Sequence, residues 1–287
     1  MTATSSRHLV DPQLLPLLDS LPVVDLDHRI ALLMRSAPAQ VAVAAADIDR
    51  TDMTTCLVPG PAGAPEVSVA IYRPRSAVGD LPCIFHIHGG GYVMGSVAGL
   101  EFAHRPMAAD LNCCIVSVDY RLAPETVFPG AIEDCYAALK WLFAEAAALK
   151  IDTRRIGVMG ESAGGGLAAA LALLVRDRGE FSLAFQHLIF PMIDDRTCAH
   201  PDPHPFAGEF VWTPQKNHFG WSSLLGVPPG SEGVSPYAAA ARAEKLEGLP
   251  PAYIATGSLD LFLEEDLEYA RRLLRAGVPT ELHVYPG

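Results

Sequence analysis

Continuous apolar runs alternate along the chain with stretches of helical spacing. Residues 83–88, 114–119, 155–159, 184–190, 252–256 and 281–285 predict strands, and 102–111, 132–149, 163–178 and 264–276 predict helices. Strand and helix taking turns over this distance predict a mainly parallel sheet covered on both faces. Two earlier runs, 54–58 and 67–72, flank the turn Gly60-Pro61-Ala62-Gly63 and predict an antiparallel edge. Ahead of them, Asp11-Pro12 predicts a short helix to Leu18, and Asp25 or Asp27 a second through Met34. Residues 200–225 break the alternation. They are rich in proline and aromatics, among them Phe206, Phe210, Trp212, Phe219 and Trp221, as an insertion over one end of the sheet would be.

Composition narrows the classes. With 287 residues, 50% apolar and 19% charged, the chain can bury an enzyme-sized core, which excludes intrinsic disorder. Its 24 glycines and 24 prolines are spread throughout, marking tight connections. Lys plus Arg is 21 against 33 Asp plus Glu, a net charge of −12 with no basic stripe, so no nucleic-acid partner is expected. Residues 1–20 show no basic start followed by an apolar run, and the apolar helical stretch 163–175 is too short for a bilayer. No signal peptide and no stable membrane anchoring are expected. The six cysteines have no CxxC spacing and read as free thiols in a reducing, cytoplasmic setting.

Gly160-Glu161-Ser162-Ala163-Gly164 follows one predicted strand and opens an alanine-rich helix. A serine on so sharp a turn projects beyond the strand end, with a helix N-terminus behind it to stabilise developing negative charge. Taken alone, the same residues also fit a glycine-rich turn with an incidental serine, or a phosphate loop. No GxGxxG follows a strand, however, and there is no GxxxxGK[ST]. His88-Gly89-Gly90-Gly91 ends the strand at 83–88, and its bare backbone N–H groups suit an oxyanion. A strand-ending HGGG with a downstream GxSxG is far more specific than either motif, and it points to acyl transfer.

Together with Asp119-Tyr120-Arg121-Leu122-Ala123-Pro124-Glu125 and Pro191-Met192-Ile193-Asp194-Asp195, these motifs resemble the bacterial hormone-sensitive-lipase family of α/β-hydrolase esterases, over about residues 50–287. The resemblance implies an α/β-hydrolase fold with a mostly parallel sheet, helices on both faces and a helical cap. Residues 1–45 are then cap helices, and 46–287 a catalytic domain carrying a cap insertion at about 200–225. By the same resemblance Ser162 is the nucleophile, and the N–H groups of Gly89, Gly90 and Ala163 form the oxyanion hole. Glu161 stands where relatives commonly have Asp. The implied reaction is hydrolysis of small short- to medium-chain acyl esters through an acyl-serine, without cofactor or metal, in a homodimer joined through the last strand.

Asp260, just after the strand at 252–256, suits the acid of a triad and matches the family position. It also suits a helix N-cap beside Glu264 and Glu265. In this fold the histidine follows the acid. The only later histidine is His283, inside the last strand, and the family's base is expected just beyond a Tyr-Pro-Gly such as Tyr285-Pro286-Gly287. Three readings stay open: an incomplete esterase, a silent ligand-binding relative as among plant gibberellin receptors, or a substitute histidine. Candidates for the last are His204, His218, His86 and His88, the latter two reading as structural hydrogen bonding. A protein ending at Gly287 is also expected to be poorly stable or to self-associate. His200 and His204 lack a third ligand at metal spacing. Asp194 and Asp195 read as braces, and Tyr92, Met94, Phe210 and Trp212 as walls of an apolar substrate pocket or as packing.

Overall fold

The computed structural model describes residues 5–36 and 41–287; the predicted cap segment 1–45 lies partly outside them. The strands are β1 (Thr51–Val58), β2 (Val67–Pro74), β3 (Leu81–Ile87), β4 (Cys114–Asp119), β5 (Ile151–Glu161), β6 (Gln186–Ile189), β7 (Ala252–Gly257) and β8 (Thr280–Tyr285). Among the described residues they form one sheet in the order β1-β2-β4-β3-β5-β6-β7-β8. β1 pairs antiparallel with β2, and β2 antiparallel with β4; every later pairing is parallel. The short turn between β1 and β2 permits a hairpin, whereas each parallel step needs a crossover.

The helices are α1 (Leu15–Ser20), α2 (His28–Ser36), α3 (Ala45–Arg50), α4 (Glu101–Leu111), α5 (Gly130–Glu145), α6 (Ala163–Arg178), α7 (Pro214–Leu225) and α8 (Leu263–Arg275). Alternation along the strands sorts side chains between the two faces. Val67 and Val69 of β2 with Val116 and Val118 of β4 join the large core beneath α5 and α6. Ala70, Tyr72 and Ile115 point the other way and pack with Ala108 of α4. Residues 163–175 of α6 are all buried, so this helix is apolar all round. It stops where Gly179 takes the left-handed conformation and its N–H reaches Val175 O.

Several boundaries differ from the sequence expectation. The predicted helix over 132–149 ends at Glu145, because Lys150 at φ +50 turns the chain straight into β5. That strand starts at Ile151, four residues early, behind a polar, solvent-facing start. Asp11 first forms a turn, its Oδ1 accepting from Gln13 N at 2.8 Å, so α1 begins only at Leu15. Asp27, not Asp25, opens α2 by accepting from Ile30 N at 2.7 Å. Residues 200–225 hold a full helix, α7, with Thr213 as cap, Pro214 at its first position and Gly226 after its end. Among the described residues no helix is long and apolar enough to cross a membrane.

Candidate active site

β5 ends at Glu161 and α6 begins at Ala163, so one residue makes the whole turn. Ser162 makes it at φ +54, ψ −121, a conformation a non-glycine residue rarely holds. The surroundings hold it there. Ser162 N donates to Ile189 O at 2.9 Å, and Ser162 O accepts from both Gly166 N and Met192 N at 2.9 Å. The close approach of α6 to β3 requires glycine: a Cβ on Gly164 would meet Ile87 O at 2.0 Å. Ser162 thus sits at the N-terminus of a buried helix, where negative charge is favoured.

β3 ends at Ile87, beside this turn, and the glycines follow. Gly89 and Gly90 N–H groups donate to no backbone carbonyl among the described residues, and Ala163 N–H lies in the first turn of α6. A Cβ on Gly89 would lie 3.5 Å from that of Ser162, Gly90 lines the same cavity as Ser162, and Ala163 follows it in the chain, so the three residues predicted to hold an oxyanion lie beside the serine. The loop is fixed from behind. His88 stacks on Tyr120 with ring centroids 4.3 Å apart, and Tyr120 Oη donates to His88 O at 2.9 Å. Arg121 makes a forked pair with the buried Asp134, at 2.8 and 2.7 Å.

Ser162 and Asp260 line one cavity of about 480 Å³ together with Gly90, Met94, Phe210 and Trp212. Most of the remaining wall is apolar, including Leu14 and Leu17 of the N-terminal segment. Asp260 follows β7 at the same edge of the sheet. Its Oδ1 accepts from Phe262 N at 2.8 Å, and burial pushes its carboxyl above the usual aspartate range despite that bond. The N-cap reading of Asp260 is not met, since Phe262 occupies that position without a side-chain cap and the Asp260 bond instead closes the turn between β7 and α8.

Tyr92 departs from expectation. It is 1% exposed, packs against Trp221 at 5.1 Å and donates to Met192 O at 2.7 Å. It braces the serine turn from below rather than walling the pocket, because Gly91 and Tyr92 both take positive φ and fold the chain back into the core.

No histidine among the described residues lines the cavity. His86 is held by Ser117 and Glu161, and His88 is nearly buried with Nδ1 on Gly89 O. His204 accepts from Ala207 N, His218 faces Ser222, and His283 lies on the sheet edge with Glu281 at 2.6 Å. Gly287, by contrast, does line the cavity and donates to Ser258 Oγ at 3.3 Å.

Two supporting groups were not read as such from sequence. Arg35 of α2 donates to Val93 O at 2.7 Å and Ala123 O at 2.6 Å, tying the N-terminal helices to the oxyanion loop. Glu265 turns inward from the first turn of α8. It accepts from Ile193 N at 2.7 Å, Asp194 N at 3.1 Å and the Thr197 hydroxyl. Asp195 is a brace as expected, with Arg242 forked onto it at 2.7 Å.

Known proteins share this fold and sequence over most of the chain. A family profile described as alpha/beta hydrolase fold matches residues 84–287. Esterase LipI of Mycobacterium tuberculosis is 32% identical over 290 aligned positions, covering 96% of this chain and 85% of that protein. Carboxylesterase NlhH of the same species is 33% identical, covering 99% and 88%. A solved structure titled Bacterial Heroin Esterase superposes with a TM-score of 0.88 at 37% identity, covering 99% of this chain and 90% of that one. The chain belongs to the α/β-hydrolase fold family, in its hormone-sensitive-lipase-like branch.

Proposed function

We propose that this carboxylic ester hydrolase works through an acyl-enzyme on Ser162. The observation that carries the reading is the meeting of Ser162, on its strained turn, with Asp260 and the glycine loop in one apolar cavity. Ser162 Oγ attacks the ester carbonyl, and the N–H groups of Gly89, Gly90 and Ala163 receive the developing oxyanion. Collapse expels the alcohol, and water then releases the acid from Ser162. Asp260 is the acid that orients the proton-carrying group. The helices of 1–45 and the segment 200–225 act as the cap, and short- to medium-chain esters suit the cavity.

The lack of a cavity-lining histidine among the described residues supports a second reading, a hydrolase-like protein that binds esters without turning them over. One experiment separates the two. Hydrolysis of p-nitrophenyl butyrate by the 287-residue chain, raised by added imidazole and lost in Ser162→Ala, is the expected result. Turnover that survives in Ser162→Ala overturns the assignment. Absence of turnover and of phosphonate labelling at Ser162, with imidazole present, selects the binder.

A further inference from the structure

A second cavity of about 330 Å³ adjoins the first. The two share Leu18, Leu21, Met94, Phe210, Val211 and Trp212. Beyond that wall the second cavity runs past Pro22, Leu26 and Met34, and none of residues 257–262 borders it. Trp212 is the fixed part of the partition. Its Nε1 donates to Oδ1 of the buried Asn217 on α7 at 3.1 Å. The indole also lies flush on the oxyanion loop, since a Cβ on Gly91 would come within 2.2 Å of the ring. Next to it, Val211 holds φ +54 while two-thirds exposed, a costly conformation for a β-branched residue.

The chemistry assigns the two halves of an ester to different walls. The group that returns a proton to the leaving oxygen is oriented by Asp260. The alcohol therefore leaves toward residues 257–262 and Gly287, and the acyl chain lies along the wall of Met94 and Trp212. We propose that Trp212 sets acyl-chain length: it closes the first cavity to long unbranched chains, and the second cavity is the extension it keeps shut. This rests on the esterase reading above.

Binding of p-nitrophenyl esters from acetyl to decanoyl, measured by calorimetry in Ser162→Ala, tests it without turnover. Affinity rises by about fourfold per methylene while chain still fills apolar space, then levels off once the first cavity is full. Adding Trp212→Ala, or the milder Trp212→Leu, extends the rise to longer chains. A further Met34→Trp, which fills only the second cavity, restores the plateau. The same plateau in all variants overturns the partition, as does a uniform weakening at every length, which would leave the indole a mere support of the glycine loop. Failure of any ester to bind Ser162→Ala removes the esterase reading, and the partition with it.

Discussion

His86 Nε2 lies 2.9 Å from Glu161 Oε2, and Glu161 is the residue before Ser162. The other ring nitrogen is 3.1 Å from Ser117 Oγ. One imidazole therefore ties the ends of β5, β3 and β4 together directly behind the serine turn and the glycine loop. Its position two residues before His88 puts it on the same strand face as that histidine.

The pair acts on the placement of Ser162 and not on substrate contacts, because neither side chain lines the cavity. Glu161→Ala removes a charge-assisted bond worth about 1.5–3 kcal/mol. We expect kcat for p-nitrophenyl butyrate to fall about tenfold or more with KM unchanged. Glu161→Gln keeps one hydrogen bond and recovers most of the rate. A raised KM at constant kcat would show that Glu161 serves binding instead.

His104, on α4, is buried against His86 and Tyr72, and its Nδ1 has no partner among the described residues. Burial, helped by the neighbouring His86, pushes its pKa down to about 2. Unfolded, the ring titrates at about 6.5. A depressed folded value means that the stability is present above the unfolded pKa and is lost as pH falls below it. The groups facing the cluster, Glu161 through His86 and the Tyr72 hydroxyl, offer His104 no carboxylate contact. Between pH 6.5 and 5 the loss amounts to about 2 kcal/mol. Urea unfolding of His104→Phe is expected to lose less stability by that amount over this interval. Parallel pH dependence in the two proteins would refute it.

Asp266 behaves in the opposite sense. It is fully buried in the first turn of α8, neither carboxyl oxygen has a hydrogen-bond partner among the described residues, and burial, reinforced by Glu265 and Asp260, pushes it well above the usual range against a smaller opposing pull from the Thr256 hydroxyl. A raised folded pKa leaves stability intact below the unfolded value of about 3.9 and erodes it as pH climbs. Asp266→Asn is expected to match the parent near pH 4 and to melt a few degrees higher at pH 7. An advantage that does not grow with pH would mean that the carboxylate has a compensating partner.

The elements most readable from sequence were those whose apolar pattern coincided with their ends: β4 and α6 fall at the predicted residues. The motifs were equally legible because each needs a backbone that few residue types allow, as at Ser162 and the glycines before it. Side-chain direction within a loop was not legible. Tyr92 follows the same glycines as Met94, and only the fold-back at positive φ decides that one braces the core while the other meets the cavity. Arg35 was invisible for a related reason, since its acceptors are backbone carbonyls 58 and 88 residues away that carry no residue-type signal. Helix α7 had its cap, proline and terminal glycine in plain order, but the proline- and aromatic-rich stretch was read only as a cap insertion, without a helix placed in it.

Arg35 offers the sharpest test of how the N-terminal helices hold the cavity. Its guanidinium spans Val93 O, Ala123 O and Glu125 at 2.7, 2.6 and 3.0 Å, joining α2 to the loops after the glycines and after β4. A planar fork serves these three acceptors at once, and a lysine ammonium cannot reproduce that geometry. In Arg35→Ala the buried Ala123 region is left with an unpaired carbonyl, a cost of about 1–3 kcal/mol. Since Met34 and Leu26 of the same segment border the second cavity, loosening α2 opens that side first. Faster amide exchange across α2 and weaker ester binding in the Ser162→Ala background are expected, with Arg35→Lys recovering only part of both. Unchanged exchange in α2 would mean that apolar packing of Leu26 and Ala31 alone retains the helix.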